Sequence, residues 1–514
     1  MITKKVQYLF NRLKFYLGCN MEEFIPLVGS MTDRGIDANV SAIPTKDQTF
    51  QNCLFYPVEN PYTGKKTIFV EKRMGVPSSG TQDTDYVALT GFYYWRALGK
   101  TCRYGYYSPA GNVYRMTPVD SGGTKTAQNT SLSPIFHVSE AKNASGTTAI
   151  FYISAGSSNT YSTVYMFADG DVSDTHITVP SGSIGHLVHI DGYVIVANTD
   201  GRLYNSPLNT PTGTYTDFIG VDITPGPLVT AFKYRNYVLA FKAEAMEVFR
   251  IGEQTTGSPL QRLSENFQKV GIFKPTSGGG LWASLSGNAP PIVEGNNNIF
   301  WIGQTEDGLG VYTMNGLVPE KISGAFQDKY LINFDGYIKF IQMGGRKLLL
   351  IYCANEWLCY DVEGKIWNVW VSAKSSSLFR SWENTVNGQG IISASGNSYY
   401  IYEPGNPVPY LDIDTSIVRL IRTSVIDADS RDYKDFTSFS LIGDLQGSTS
   451  NITVSWSKDD YVTWSTGKDI DMSLTNSRLY ALGVARRIAF RLSDTLQSPA
   501  RLQGIELNYN KRSS

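Results

Sequence analysis

Glu294-Gly295-Asn296-Asn297-Asn298-Ile299-Phe300-Trp301-Ile302-Gly303, followed by Gly310-Val311-Tyr312-Thr313-Met314-Asn315-Gly316 and then Leu317 to Ser323, holds the pattern that repeats along the chain. Asn296-Asn297-Asn298 predicts a turn, because Asn tolerates left-handed backbone angles and bonds its own main chain. Ile299 to Ile302 is apolar on both faces and too short for a helix, which predicts a strand buried on both sides. The Gly-punctuated stretch from Gly303 to Gly310 reads as a polar reversal. Val311 to Met314 reads as a second strand, closed by the Asn315-Gly316 hairpin signal.

The same strand, turn, strand unit recurs through the chain. Candidate pairs are 92–95 with 113–116, 149–153 with 163–167, 193–196 with 203–204 and 237–241 with 246–250. After the Ile299 unit come 348–352 with 357–361, then 391–394 with 399–402. The later units start roughly 40 to 60 residues apart, near the blade length of propeller repeats. No long amphipathic helix falls between them, which argues against a parallel sheet with crossover helices. The expectation is an all-β chain whose residues 91–420 form a β-propeller of six or seven blades.

Past Pro409 the texture changes. Ile452, Val454 and Trp456 alternate with polar neighbours, as do Ile488, Phe490 and Leu492, and Ile505, Leu507 and Tyr509. One-sided alternation predicts half-buried antiparallel strands, so residues 421–514 read as a C-terminal antiparallel β-sandwich. Residues 21–90 read as an extended segment leading into the propeller. In residues 1–20, Val6, Leu9, Phe10, Leu13 and Leu17 share one helical face, with Lys4, Lys5, Arg12 and Lys14 mostly elsewhere. That extension is either a basic amphipathic helix that docks on a partner or, on the preferred plainer reading, a local helix or an upstream extension with initiation at Met21.

Composition narrows the function classes. The chain has 514 residues, 42% hydrophobic, with a formal charge of -1, which argues against a polyanion-binding surface spread over the whole molecule. Charged residues make up only 18% while Tyr numbers 32, a balance suited to surface buried between subunits. Cys19, Cys53, Cys102, Cys353 and Cys359 show no metal or redox spacing and read as reduced, mostly buried thiols. No apolar run approaches the ~18 residues a membrane-spanning helix needs.

Motifs of catalysis are scarce, and the expectation is a non-enzymatic protein with no catalytic, cofactor-binding or metal site and no cofactor. HExxH, GxSxG and Walker patterns do not occur. His186 and His189 are three apart in a strand-like context, which puts them on opposite faces. Gly278-Gly279-Gly280-Leu281-Trp282-Ala283 matches GxGxxA without a βαβ context and reads as a flexible turn. Asp427, Asp429, Asp432 and Asp435 could ligate Ca²⁺, but Arg431 and Lys434 interleave and a solvated acidic loop fits better. Arg486-Arg487 and Lys511-Arg512 are short, without the basic and aromatic interleaving of single-strand binders. Ser457-Lys458-Asp459-Asp460-Tyr461-Val462-Thr463-Trp464 resembles the Asp-box turn of sialidase-like propellers, with Tyr461 where that motif has Gly.

Three segments together resemble another family. Asn298 to Gly303 with Gly310-Val311-Tyr312 and Gly316 to Ser323 is one. Leu358-Cys359-Tyr360-Asp361-Val362-Glu363-Gly364-Lys365-Ile366-Trp367 is the second. Val454 to Asp459 with Thr463-Trp464, then Leu482 to Arg487 before Phe490-Arg491, is the third. They are similar to the packaged-DNA stabilisation, or tail hub (nozzle), proteins of short-tailed bacteriophages, over roughly residues 225–510. The resemblance implies a structural virion protein of the tail, assembled in the host cytoplasm as a homo-oligomeric, hexameric ring below the portal and head-to-tail adaptor. Such a ring extends the channel for genomic double-stranded DNA, retains the packaged genome until ejection, and docks tailspikes, fibres or a tail needle. The alternative expectation is a sialidase-like propeller enzyme or lectin acting on carbohydrate.

Overall fold

A computed structural model describes residues 21–28, 49–59 and 66–76, the strands between 81 and 178, and most of the chain from 184 to 512. In that last span the loops 254–256, 264–267, 274–289, 376–377, 385–389, 396–397, 403–409 and 428–429 and a few single positions lie outside the description. The expected helix at 1–20 and the GxGxxA stretch at 278–283 therefore lie outside the described residues.

The chain is nearly all β. Among the described residues, its middle part forms seven successive sheets in sequence order, antiparallel except that Gly213–Thr214 joins the edge of the second in parallel. The first four begin with Ala88–Trp95, Ile135–Lys142, Ile184–Ile190 and Thr230–Tyr234. The fifth is built on Ile292–Gly295, Asn298–Thr305, Gly308–Asn315 and Val318–Lys321. The sixth runs Phe334–Met343, Arg346–Cys353, Glu356–Asp361 and Ile366–Trp370, and the seventh Glu383–Asn384, Gly390–Ser395 and Ser398–Tyr402. First strands touch between the second and third, third and fourth, fifth and sixth, and sixth and seventh sheets, and Gly390–Ser395 returns to Ala88–Trp95 of the first. Tyr93 and Glu140 are hydrogen-bonded between the first and second sheets, and a shared core joins the fourth and fifth. Thr81–Gln82, from before the first sheet, completes the seventh by pairing with Ser398–Tyr402. An early strand that finishes the last sheet ties the ring shut, which is the architecture of a seven-bladed β-propeller.

Strands apolar on both faces fit this arrangement because the cores lie between blades. From Asn298–Thr305, Phe300 and Ile302 join a cluster with Leu349, Ile351 and Leu358 of the sixth blade. Ile299 and Trp301, alternating with them, join Leu239, Phe241 and Val248 of the fourth. The turns match their residues as well. Asn296 and Asn297 adopt φ of 53° and 56°, and Gly316 adopts 65°. The polar reversal expected from Gly303 to Gly310 is instead two paired strands with a tight turn between Thr305 and Gly308. Both glycines are strand positions crossed by neighbouring side chains: a Cβ on Gly303 would lie 2.4 Å from the Tyr312 ring, and one on Gly310 2.6 Å from Lys321 Cε. In the first blade, Lys100–Tyr106 stands between the two strands expected to pair directly.

The "tyrosine, aspartate, turn, tryptophan" segment of the sixth blade has a clear division of labour. Asp361 Oδ1 accepts from Gly364 N at 2.7 Å and Glu363 N at 3.1 Å, closing the turn. Arg346 grips both oxygens of Asp361 at 2.6 and 2.9 Å. Trp367 stacks against Tyr360 with centroids 4.8 Å apart and donates its Nε1–H to Ile322 O of the fifth blade at 2.9 Å.

Beyond the propeller, strands interleave from both ends of the chain. One sheet contains Cys53–Glu59, Lys66–Lys72, Leu502–Lys511, Lys434–Gly443 and Arg478–Ala485, with Met21–Pro26 paired to Leu502–Lys511. The other is a nine-stranded sheet that begins as the sixth blade. Its outer strand Ile366–Trp370 runs parallel to Thr49–Gln51, which pairs in turn with Arg419–Arg422, Ala489–Asp494, Asn451–Ser457 and Lys468–Asp471. Phe436, Phe439, Ile505 and Leu507 of the first sheet share one core cluster with Phe50, Ile421, Val454 and Phe490 of the second. The segment 21–90 thus supplies strands to the C-terminal region as well as the closing strand of the propeller.

At the seam, Arg73 is fully buried and clasps Asp412 through Nη1 at 2.8 Å and Nη2 at 2.6 Å. Arg73→Met strands the Asp412 carboxylate and is expected to lower unfolding free energy by about 3–5 kcal/mol. The double variant R73M/D412L, read by urea denaturation against both single variants, is expected to recover much of that loss.

Candidate functional site

A set of buried charges lies where the N-terminal strands join propeller and C-terminal sheets. Lys72 ends the strand Lys66–Lys72 and Arg73 follows it directly, and both side chains are buried. Lys72 Nζ reaches Asp494 Oδ1 at 3.2 Å and donates to Leu496 O at 2.8 Å. Arg419 Nε meets the other oxygen of Asp494 at 2.7 Å, and its Nη1 donates to Ala500 O at 2.7 Å. Burial alone would push the Asp494 carboxyl up, but the Arg419 and Lys72 charges hold it below the usual carboxylate range.

Asn52 stitches the same seam. With φ of 56°, it donates to Val371 O at 2.9 Å and Val418 O at 2.8 Å, while its Oδ1 accepts from Arg73 Nε and from Val371 N, both at 2.9 Å. Trp370 and Phe379 flank the Arg73 guanidinium at 5.3 and 5.4 Å. Arg73 and Asn52 bond to one another, to Asp412 and to backbone, while Arg419 Nη2 is buried without a hydrogen-bond partner among the described residues; the arrangement holds strands together. Sequence reading passed over all of them. The available signal was a charge inside an apolar run, as with Arg419 in Ile417-Val418-Arg419-Leu420-Ile421.

Other singled-out residues have structural surroundings too. His186 is buried and stacks on Phe232 of the next blade at 5.2 Å, while His189, on the opposite face of the strand, is half-buried. Among the described residues no group of three His, Cys, Asp or Glu side chains could hold a metal ion. Asp429 lies outside the described residues, and around Asp427, Asp432 and Asp435 the cation is the protein's own. Lys434 Nζ, buried, donates to the carbonyls of Ser430 at 2.6 Å, Arg486 at 2.8 Å and Asp432 at 3.1 Å. Cys53, Cys353 and Cys359 are buried and unbridged, and burial pushes the Cys53 thiol up to about 12, leaving it protonated at neutral pH.

The Asp-box-like stretch forms a sealed turn. Asp459 accepts from Ser457 Oγ at 2.8 Å, Thr463 N at 2.9 Å and Thr463 Oγ1 at 2.5 Å. Hydrogen bonds from Thr463, then Ser457, hold its carboxyl below the ordinary range. Tyr461 adopts φ of 69°, the conformation that favours Gly, and is held there by burial and by its hydroxyl donating to Thr423 O at 2.9 Å. At the propeller's first strands, Tyr93 Oη donates to Glu140 at 3.2 Å and Tyr94 N to Glu383 at 3.3 Å. Lys339 is held down by burial, opposed by Glu383.

Two measurements check these roles. Asp494 has a depressed folded pKa, so its contribution to stability is fully present above the unfolded value of about 4 and is lost as pH falls through the folded value. Urea midpoints followed from pH 7 to pH 2 are expected to fall more steeply at the acid end in the wild type than in Asp494→Asn. Tyr461→Phe leaves the Thr423 carbonyl short of a donor and is expected to cost about 0.5–1.5 kcal/mol by denaturant titration.

No helix among the described residues is long and apolar enough to cross a membrane. No protein-family model matches the sequence, and no curated protein matches it. Among solved structures, the WD40 β-propeller domain of Doa1 aligns with a TM-score of 0.37 at 11% identity, covering 65% of this chain and 98% of that one. The computationally designed Ika8 protein aligns at 0.36 and 11% identity, covering 64% and 99%. BBS1N in complex with ARL6DN aligns at 0.34 and 9%, covering 65% and 98%. Such low scores carry no functional argument, and the propeller assignment rests on the order and closure of the chain's own sheets.

Proposed function

We propose that this chain is a structural, non-enzymatic component of a short phage tail, a hub or nozzle subunit of the virion. In this reading it assembles into a homo-oligomeric ring, a hexamer by the family resemblance, beneath the portal and head-to-tail adaptor. The ring extends the channel for double-stranded DNA, retains the genome before ejection, and offers a docking surface to tailspikes, fibres or a tail needle.

The observation that supports this reading is mechanical. A single nine-stranded sheet runs from a propeller blade into the C-terminal region, and a buried ionic seam locks the N-terminal strands across both. Stress applied to one part is carried by paired backbone into the other, as a ring subunit under mechanical force requires. A near-neutral formal charge of -1 also suits a conduit, because a strongly basic wall would hold passing DNA through counterion release.

Native mass spectrometry and negative-stain microscopy test the proposal, on the protein alone and with portal and adaptor proteins of a short-tailed phage. Closed rings in either condition are expected. A chain that stays monomeric in both, even at high concentration, overturns the reading.

A further inference from the structure

The sheet built on Leu502–Lys511 has one face on the shared core and one turned away from it. Ile505, Leu507, Phe439 and Leu479 point into the core. The residues alternating with them fall into two cross-strand rows on the outward face. Phe24, Glu506, Ser440 and Arg478 stand opposite one another in register, and beside them stand Glu22, Asn508, Ser438 and Tyr480.

Together the rows make a shallow trough with aromatic sides and a polar floor. Phe24 and Tyr480 are 49% and 65% exposed, whereas Ser438 and Ser440 between them are buried. Three strand spacings, roughly 14 Å, separate the two aromatic sides across the sheet. Phe24 lies against the Gly504 backbone, where a Cβ would stand 2.5 Å from its Cε2. On the floor, Glu506 Oε2 accepts from Arg478 Nη2 at 2.9 Å and from Ser440 Oγ at 3.0 Å, and Asn508 Nδ2 donates to Ser438 Oγ at 3.1 Å. That single bond leaves most of the five N–H groups of Arg478 for a ligand. At one end of the trough, Ser440, Arg478 and Glu506 also line a cavity of about 210 Å³, with the exposed Leu445 and Leu474 among its other walls. An apolar cavity of about 150 Å³ accommodates benzene, so this one accommodates a substituted six-membered ring.

We propose that this face binds a neutral oligosaccharide, with one hexopyranose ring seated in the cavity and the chain continuing over the trough. A hydroxyl both donates and accepts, and the Arg478–Glu506 pair sets unused donors beside a carboxylate acceptor, so neighbouring ring hydroxyls engage both. The pair is neutral overall and gives an anion little net attraction. The C–H faces of a pyranose carry partial positive charge and rest on the electron-rich faces of Phe24 and Tyr480. Leu445 and Leu474 give the ring in the cavity an apolar wall. This site lies outside the propeller and is independent of the tail assignment.

Isothermal titration of the full-length protein with maltohexaose, mannohexaose and galactohexaose tests it. Saturable binding of at least one is expected. The affinity is expected to fall roughly 3- to 10-fold in Tyr480→Ala, through loss of a stacking ring, and roughly 10-fold in Glu506→Gln, through loss of a charged acceptor. An ion pair at the surface contributes little to stability, so the Gln variant keeps the fold and decides the matter if the Ala variant does not. Glucose, mannose and galactose are expected to bind more weakly than the hexasaccharides, because they cannot reach from the cavity onto the trough. No saturable binding of any hexasaccharide, unchanged affinity in both variants, or free hexoses binding as tightly overturns the proposal. Hexagalacturonate binding more tightly than the neutral chains also overturns it, in favour of an anion site at Arg478.

Discussion

Arg73 reaches Asp412 with both terminal nitrogens, Asn52 with Nε, and the carbonyls of Met74 at 3.2 Å and Val371 at 3.3 Å with what remains. A guanidinium has five N–H donors, and here they link the N-terminal strands, the strand end after the sixth blade and the hairpin at Leu411–Ser416. Leaving a buried guanidinium's charge or donors unmet is costly, so the position of each Arg73 partner constrains the others. The bridge between Val76 and Asp412 and the bond from Ile413 N to Val76 O, at 2.9 Å, extend this constraint toward the strand that closes the propeller.

With the seam set, the remainder of the architecture follows from where apolar surface goes. Each blade has neighbours on both faces, so its strands are apolar on both faces and the cores lie between sheets. The C-terminal sheets meet along one face only, and there the alternating pattern suffices. Ile366–Trp370 belongs to both regimes: Trp367 packs toward the fifth blade, Trp370 toward Phe379 and the seventh, and its edge accepts Thr49–Gln51. A propeller blade whose outer edge is continued by other strands leaves that edge neither exposed nor free to pair with another chain.

Charge placement separates interior from surface work. Inside, Lys72, Arg73, Arg419, Asp412 and Asp494 answer one another and hold the fold. Elsewhere on the nine-stranded sheet, Arg422 and Arg491 lie opposite each other in register, over the Tyr461 and Trp464 rings. The Asp-box-like turn presents those two rings, 5.9 Å apart, to the arginines.

Local chemistry made much of the fold legible in the sequence. Two-faced apolar runs such as Ile299 to Ile302 specified buried strands, Asn296-Asn297 and Asn315-Gly316 specified their turns, and one-sided alternation marked the strands near Ile452 and Ile505 as different in kind. These are properties of a few adjacent residues, set by backbone conformation and side-chain period. Three things were decided only in three dimensions: the glycines that serve as strand positions beneath Tyr312 and Lys321, the strand at Thr81–Gln82 that closes the ring, and the Arg422–Arg491 register. Arg73 and Asp412 are 339 residues apart, and Asn52 lies a similar distance from Val371. No local pattern joins such partners. They meet because burial of apolar strands from both ends of the chain leaves their polar groups only one another to bond.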